Sequence, residues 1–250
     1  KIYGESNQLK ITTKYKIEDN GTEVDDEVET LLYDGLKPLL PADVTKEKFL
    51  TDYKQSSIKV GPTIALDIRR DAVISVVLAL AMIFLYILIR FKNWRYSAGA
   101  VISLAHDAML VIGCYTLLWG IVPFNMEIDQ AFIAAVLTII GYSINDTVVV
   151  FDRIREYRGL YPTRNVKDTF NSSLNSVLSR TFVTSLSTLV VLVPMVFFGG
   201  DSIRGFVMSL SIGIIVGTYS SMFIATPLAY DFGRKQLEAK KDGEGVAKKV

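Results

Sequence analysis

The sequence has little of the side-chain chemistry on which most catalytic and metal sites depend. It holds one cysteine, Cys114, and one histidine, His106, in 250 residues. A lone cysteine inside an apolar run excludes an internal disulfide. His106 has no second His, Cys or acid at ligand spacing, so no metal centre is expected. The His106-Asp107 pair also lacks the G-x-S-x-G context of a hydrolase. No G-x-x-x-x-G-K-[ST] element occurs, which argues against a P-loop ATP motor. Net charge is only +1, so no nucleic-acid footprint is present. The chain reads as a non-enzyme without a cofactor.

What the sequence does have is apolar residues, 50% of the total, unevenly spread. Residues 1–70 are polar with scattered apolar positions, and 1–62 of them read as a domain. Residues 8–17 (QLKITTKYKI) alternate, with Leu9, Ile11, Thr13, Tyr15 and Ile17 on one face, which predicts a half-buried strand. Thr22 is a candidate cap for a helix with Glu23, Asp25, Asp26 and Glu27 in its first turns. Val24, Val28, Leu31, Leu32 and Leu36 form its expected buried stripe, and Pro38 and Pro41 end it. A second short helix over 46–53 and a strand over 57–60 complete a small α+β domain. At roughly 60 residues such a domain is marginal alone, so support from elsewhere is expected. It reads as a spacer without a site of its own.

From Ala72 onward, apolar runs alternate with short charged segments, the pattern of a polytopic α-helical membrane protein. The spans are predicted at 72–89, 98–119, 131–151, 181–198 and 205–228, within a bundle covering 63–232, with a basic tail at 233–250. Lys and Arg near the span ends fall mostly on one side: Arg90, Lys92, Arg95, Arg153, Arg155, Arg158, Arg164, Lys167, Arg234, Lys235, Lys240 and Lys241. The other side has Lys59, Arg69, Arg70 and Arg204. The richer side is the cytoplasmic one, which puts residues 1–62 outside and the tail inside. An extracytoplasmic start requires something to export it, and a further span upstream of Lys1 is expected.

Two ionisable residues stand out against this apolar background. Asp146 lies in the third run, about 7–8 Å from its centre, too deep for a short side chain to reach water. A carboxylate at such a position costs about 2.5–3.5 kcal/mol even on the lenient scales. Thr138 and Tyr142 share its face. Arg180 precedes the fourth run and heads a second stripe with Thr184, Ser187 and Thr188. Hydroxyls beside an ionisable pair make a candidate ion path, in which Asp146 gains and loses a proton next to Arg180. A permanent ion pair that fixes helix register, or an Arg180 that marks the cytoplasmic boundary, fits the same residues. Asp107, the second intramembrane acid, reads as a satisfied buried polar residue or as a further candidate for the path; His106 and Asp107 point about 100° apart on a helix, so at most one of them faces it. Residues 166–178, capped by Asn165, read as an interfacial amphipathic helix or as an early extension of the fourth span. Ser209, Gly213, Gly217 and Ser221 put a small residue at every fourth position of the fifth span, a helix-packing signal.

The segment GYSINDTVVVFDRIRE, followed by the Arg of LSRT, resembles the protein-export membrane protein SecF, or the SecF half of a fused SecDF. VGPTIALDIRRDA, LAHD and FFGG with IRGF are similar to the same family. The resemblance runs from about Val60 to Phe232 and places the chain in the resistance-nodulation-division superfamily, with six spans per half. It implies an accessory subunit of the Sec translocase in the bacterial cytoplasmic (inner) membrane. Such a subunit works with SecD beside the SecYEG translocon, after SecA, on unfolded exported polypeptides among membrane lipids. It uses a proton or sodium gradient rather than a cofactor. The family's coupling pair falls on Asp146 and Arg180. A scaffold subunit without ion conduction and a small-molecule exporter of the superfamily are the alternatives, the second needing much larger outside domains.

Overall fold

Several helices begin where a side chain accepts from a backbone N–H that the first turn leaves free. Asn93 accepts from Arg95 N at 3.2 Å, Asp129 from Phe132 N at 2.9 Å, and Asn165 from Lys167 N at 2.9 Å. These are the side-chain caps that satisfy orphan donors at a helix start. In the computed structural model the described residues are 9, 11–16, 19, 21–55, 57, 62–122, 124, 126 and 128–233. The chain divides into two compact units, Lys1–Val73 and Ile74–Val250.

In the first unit, α1 (Thr22–Leu36) is followed by a 3-10 turn (Lys37–Leu39) and by α2 (Lys46–Lys48), which passes into a π turn (Phe49–Tyr53). Thr22 is the first helical residue rather than the cap. Gly21 occupies the cap position without a side-chain bond, and Asp19 accepts from its N–H at 3.0 Å. Val24 is buried, while Val28, Leu32 and Leu36 are partly covered and Leu31 is exposed. The covered face meets Val44 and Phe49. Tyr33 donates to Val44 O at 2.9 Å, with its ring centroid 5.8 Å from that of Phe49. Lys16 and Tyr15 both reach the Glu27 carboxylate, at 2.6 and 2.7 Å. Residues 8–17 lie partly outside the described residues; within them Leu9 forms an isolated bridge, and 11–14 have no regular structure. Of residues 57–60 only Ser57 is described, and it too has none. Helix is therefore the regular structure of this unit among the described residues.

Among the described residues five helices are long and apolar enough to cross a membrane: Leu66–Phe91, Trp94–Leu118, Gln130–Leu160, Val166–Phe198 and Ile203–Gly233. They correspond to α3 (Pro62–Phe91), α4 (Trp94–Leu118), α5 (Gln130–Leu160), α6 (Val166–Phe198) and α7 (Asp201–Ser220), the last continuing through a π turn (Ser221–Ala225) and residues 226–233. The chain is a multi-pass α-helical membrane protein. The basic tail beyond Gly233 lies outside the described residues.

The helices outrun the apolar runs that predict them. Helix α5 continues past Phe151 through Arg153, Arg155 and Arg158, and α6 starts at Val166, so residues 166–178 are the early extension of the fourth span. Hydropathy marks where a helix leaves hydrocarbon, whereas the backbone ladder needs no apolar side chains to continue. Packing sustains both extensions. Val166, Phe170 and Val177 are buried against Val150, Phe151 and Ile154, and Arg90 donates to Asp152 at 2.7 Å, tying the end of α3 to α5.

Helices α5 and α7 form the inside of the bundle, while α3 and α6 turn most of their apolar surface outward. Close approach of α7 depends on the absence of side chains. A Cβ at Gly213 would lie 2.3 Å from the Ile139 side chain, and one at Gly217 would lie 2.9 Å from Ser143 Cβ. A Cβ at Gly99 of α4 would meet the Ala225 carbonyl at 2.8 Å. With no hydrophobic drive between helices in lipid, such contacts supply much of the association.

Gly213→Val should therefore destabilise the bundle by about 1–3 kcal/mol, the usual cost of overpacking. Adding Ile139→Ala should recover part of it. Thermal unfolding of the four variants of that cycle in detergent measures both effects, and an additive pair would rule out the contact as the cause.

Candidate ion-coupling site

Asp146 stands near the middle of the 31-residue α5 and Arg180 near the middle of the 33-residue α6. Arg180 thus does not open its helix, because the fourteen residues before it, from Val166, are already helical. Asp146 is 4% exposed, and its Oδ2 is buried without a hydrogen-bond partner. Arg180 acts on it through space, and no contact ion pair joins them. The Arg180 side chain is exposed on the outward face of α6. An acid with an unoccupied oxygen and a base with an open approach form a loose pair, one that a proton or a small rearrangement can alter.

The two hydroxyl stripes meet at one point. Tyr142 OH and Thr188 Oγ1 are 3.2 Å apart. Thr188 also lies 3.1 Å from the Thr184 carbonyl, to which it donates, leaving Tyr142 as the donor between them. The remaining members are exposed and return their protons to their own helix: Thr138 to Ala134 O, Thr184 to Arg180 O and Ser187 to Val183 O, at 2.7, 2.9 and 2.7 Å. Such back-bonding lets a hydroxyl face a non-aqueous environment at low cost. Thr184 and Ser187 keep free lone pairs on the same outward face of α6 as Arg180.

Asp107 lies elsewhere, inside the bundle and fully buried. Ser143 of α5 and Ser220 of α7 each donate to its Oδ2 at 2.7 Å. His106 Nδ1 approaches Oδ1 at 3.2 Å, so the adjacent pair does meet despite the angle between their Cβ directions. Ser221 bonds to Ser143 O at 3.2 Å and accepts from Thr147 Oγ1 at 3.0 Å. The small-residue stripe of α7 lies against this cluster: Gly217 admits Ser143, Ser221 joins the network, and Ser209 back-bonds to Gly205 O at 2.9 Å. Among the described residues no group of three or more His, Cys, Asp or Glu is placed to hold a metal ion.

Ser143, Thr147, Ser220 and the buried Ser185–Thr218 pair (2.6 Å) escape a reading of the sequence. A serine in an apolar helix carries the same letter whether it back-bonds or crosses to a neighbour. The one available signal is that Ser143 and Thr147 bracket Asp146 at i−3 and i+1.

The family model for the protein export membrane protein SecD/SecF, C-terminal, matches residues 42–235. The protein translocase subunit SecF of Rhodothermus marinus is 52% identical over 172 residues, 69% of this chain and 56% of that one. SecF of Thermodesulfovibrio yellowstonii is 40% identical over 232 residues, 92% of this chain and 70% of that one. The crystal structure of SecDF, a translocon-associated membrane protein, from Thermus thermophilus superposes with a TM-score of 0.68 at 35% identity, covering 86% of this chain and 27% of that one. The chain spans about half the length of several curated SecF relatives it matches.

The Ser185–Thr218 bond joins α6 to α7 one turn beyond Thr181. Ser185→Ala should cost about 1 kcal/mol, the net worth of one hydrogen bond, because Thr218 loses the bond Ser185 donates while keeping its own to Ile214 O at 2.8 Å. Ser185→Ala with Thr218→Val should cost less than the sum of the two single changes. A double-mutant cycle of thermal stability tests this; strict additivity would mean that the bond contributes nothing.

Proposed function

This chain belongs to the SecD/SecF family of protein-export membrane proteins, and we propose from that premise that it is the SecF-type part of a gradient-driven accessory subunit of the Sec translocase. Asp146 is the proton- or sodium-responsive group and Arg180 its counter-charge. The observation that carries this reading is the state of Asp146: an acid in mid-helix, nearly inaccessible, with one oxygen unpartnered and a cation near it on the next helix. A charge there is costly enough to imply a use. Neutralising the acid removes its attraction for Arg180, and the resulting shift between α5 and α6 is the motion passed on to the exported polypeptide. One elementary charge crossing the membrane supplies about 2.3 kcal/mol per 100 mV, enough to bias a two-state pair of helices by more than tenfold.

The exposed face of α6 supports a partner inside the membrane. Arg180, Thr184 and Ser187 look outward there, and an arginine exposed at the edge of an apolar run is better covered by an acidic partner than by lipid. A second polytopic half carrying an acid opposite Arg180 is the natural cover, and SecD fits that part: relatives occur as fused SecDF chains. In this reading the assembly sits beside SecYEG in the cytoplasmic membrane and completes movement that SecA begins. The first unit, a small extracytoplasmic domain of α+β type, lies on the side where the polypeptide emerges. Asp107, Thr138, Tyr142, Thr184, Ser187 and Thr188 are the polar lining available to the ion or to water.

Export into inverted membrane vesicles under an imposed gradient provides the test. Asp146→Asn keeps the shape and removes titration: it should assemble with SecD at wild-type levels while its export no longer responds to the gradient. Arg180→Ala should behave similarly, and Arg180→Lys should retain part of the response. A gradient response preserved in Asp146→Asn would eliminate the coupling role and leave a scaffold subunit.

A further inference from the structure

Two acids, Asp107 of α4 and Asp146 of α5, are buried within the apolar runs of their helices, and their oxygens are engaged differently. Asp107 is fully buried and fully engaged. Two hydroxyls donate to one of its oxygens, and an imidazole nitrogen lies 3.2 Å from the other. A carboxylate oxygen has two lone pairs and can accept from both hydroxyls at once. The bonds extend to both sides of Asp146. Ser143, three residues before it, is held by Asp107, and Thr147, immediately after it, is held by Ser221. Ser220 and Ser221 are adjacent at the start of the π turn Ser221–Ala225, where Thr226 closes a bond to Ser221 O at 2.9 Å. Gly217, one turn earlier, makes room for Ser143.

We infer that Asp107 is a positioning residue for Asp146: by accepting from Ser143 and Ser220 it locks the segment of α5 that carries Asp146 onto α7. This rests on the reading of Asp146 as the responsive group, and it moves Asp107 from the ion path to the frame around it. The groups facing the two acids are few. Arg180 from α6 acts on Asp146, His106 of α4 touches Asp107, and α5 and α7 present the hydroxyls of Ser143, Thr147, Ser220 and Ser221. With its frame intact, Asp146 meets Arg180 at one fixed distance; with the frame broken, residue 143 is released and that distance varies.

The test reads Asp146 directly. Dicyclohexylcarbodiimide modifies protonated carboxyls in apolar surroundings, and its yield on the Asp146 peptide is followed by mass spectrometry across pH. The protein is the full chain, assembled with its membrane partner in proteoliposomes. Asp107→Asn keeps an oxygen that both serines can donate to and should label like the wild type. Asp107→Leu, and Ser143→Ala with Ser220→Ala, should change Asp146 labelling at a given pH by about fivefold, the shift expected from one lost hydrogen bond of ordinary strength. A merely structural role would lower the amount of assembled protein and leave the labelling profile of the remainder unchanged, which overturns the inference. So does an Asp107→Asn profile displaced as far as that of Asp107→Leu, which would assign the effect to the charge of Asp107. If Asp107→Leu does not assemble, Ser220→Ala decides: a smaller displacement in the same direction supports positioning, and none refutes it. Labelling is read without export, so failure of the coupling role in Asp146→Asn vesicles and failure of the positioning role are separate results.

Discussion

Hydrocarbon offers no hydrogen-bond donors, so a carboxylate in a membrane helix has to find its stabilisation within protein. The two acids of the α4–α5 region meet this constraint in opposite ways. Asp107 is surrounded by donors from α4, α5 and α7, and its burial is complete. Asp146, a little less than one turn along α5 from Ser143, keeps an unpartnered oxygen and relies on a cation that does not touch it. A satisfied buried polar group fixes the geometry around it, and an unsatisfied one is held at a cost that any incoming proton, ion or partner group can relieve. The difference between the acids therefore corresponds to a difference in what each can do.

The hydroxyl network at Asp107 depends on backbone proximity, and proximity depends on glycine. Ser143 is a short side chain and reaches the α4 carboxylate from a helix packed against the α7 seam. That seam closes only because Gly213 and Gly217 place hydrogen where a Cβ would strike Ile139 and Ser143. The small-residue spacing in α7 consequently serves more than association. It brings Ser220 and Ser221 to the level of Asp107 and Thr147, where the π turn begins. Packing and polar satisfaction are here one structural fact, since a bulkier seam would separate the helices and strand the carboxylate.

Much of the helical architecture was legible in the sequence because hydropathy reports membrane crossing directly. Five apolar runs became five membrane-length helices. The ends were less legible. The arginines after Phe151 and the polar turns before Thr181 mark where the chain leaves hydrocarbon, and a helix can continue in water when its neighbours pack against it, as Val166, Phe170 and Val177 do here. Of the site, Asp146, Arg180 and Asp107 were visible because charge is conspicuous among apolar letters. The contacts of Asp107 were hidden, because Ser143 and Ser187 look alike in sequence, yet one crosses to a carboxylate and the other returns to its own helix. That distinction depends on which way each helix is rotated, a property of packing rather than of composition. The N-terminal alternation at 8–17 shows one bridge, at Leu9, and no regular structure over 11–14 among the described residues, for a related reason. A strand needs a partner to supply its ladder, and the pattern of side chains says nothing of whether one is there.

A rigid frame and a loose pair have to coexist in any device that turns a small charge change into movement. If every buried group near Asp146 were as well satisfied as Asp107, protonation would find nothing to rearrange. If none were, α5 would shift against all its neighbours at once and the available 2.3 kcal/mol per charge per 100 mV would be dispersed over many small motions. In the proposed coupling, looseness confined to the level of Arg180, which is exposed and whose neighbouring stripe hydroxyls bond only to their own helix or, in Tyr142 and Thr188, to each other, concentrates that energy on one part of the α5–α6 interface. The side facing α4 and α7, held by Asp107, Ser220 and Ser221, is in that proposal the frame against which the interface would move.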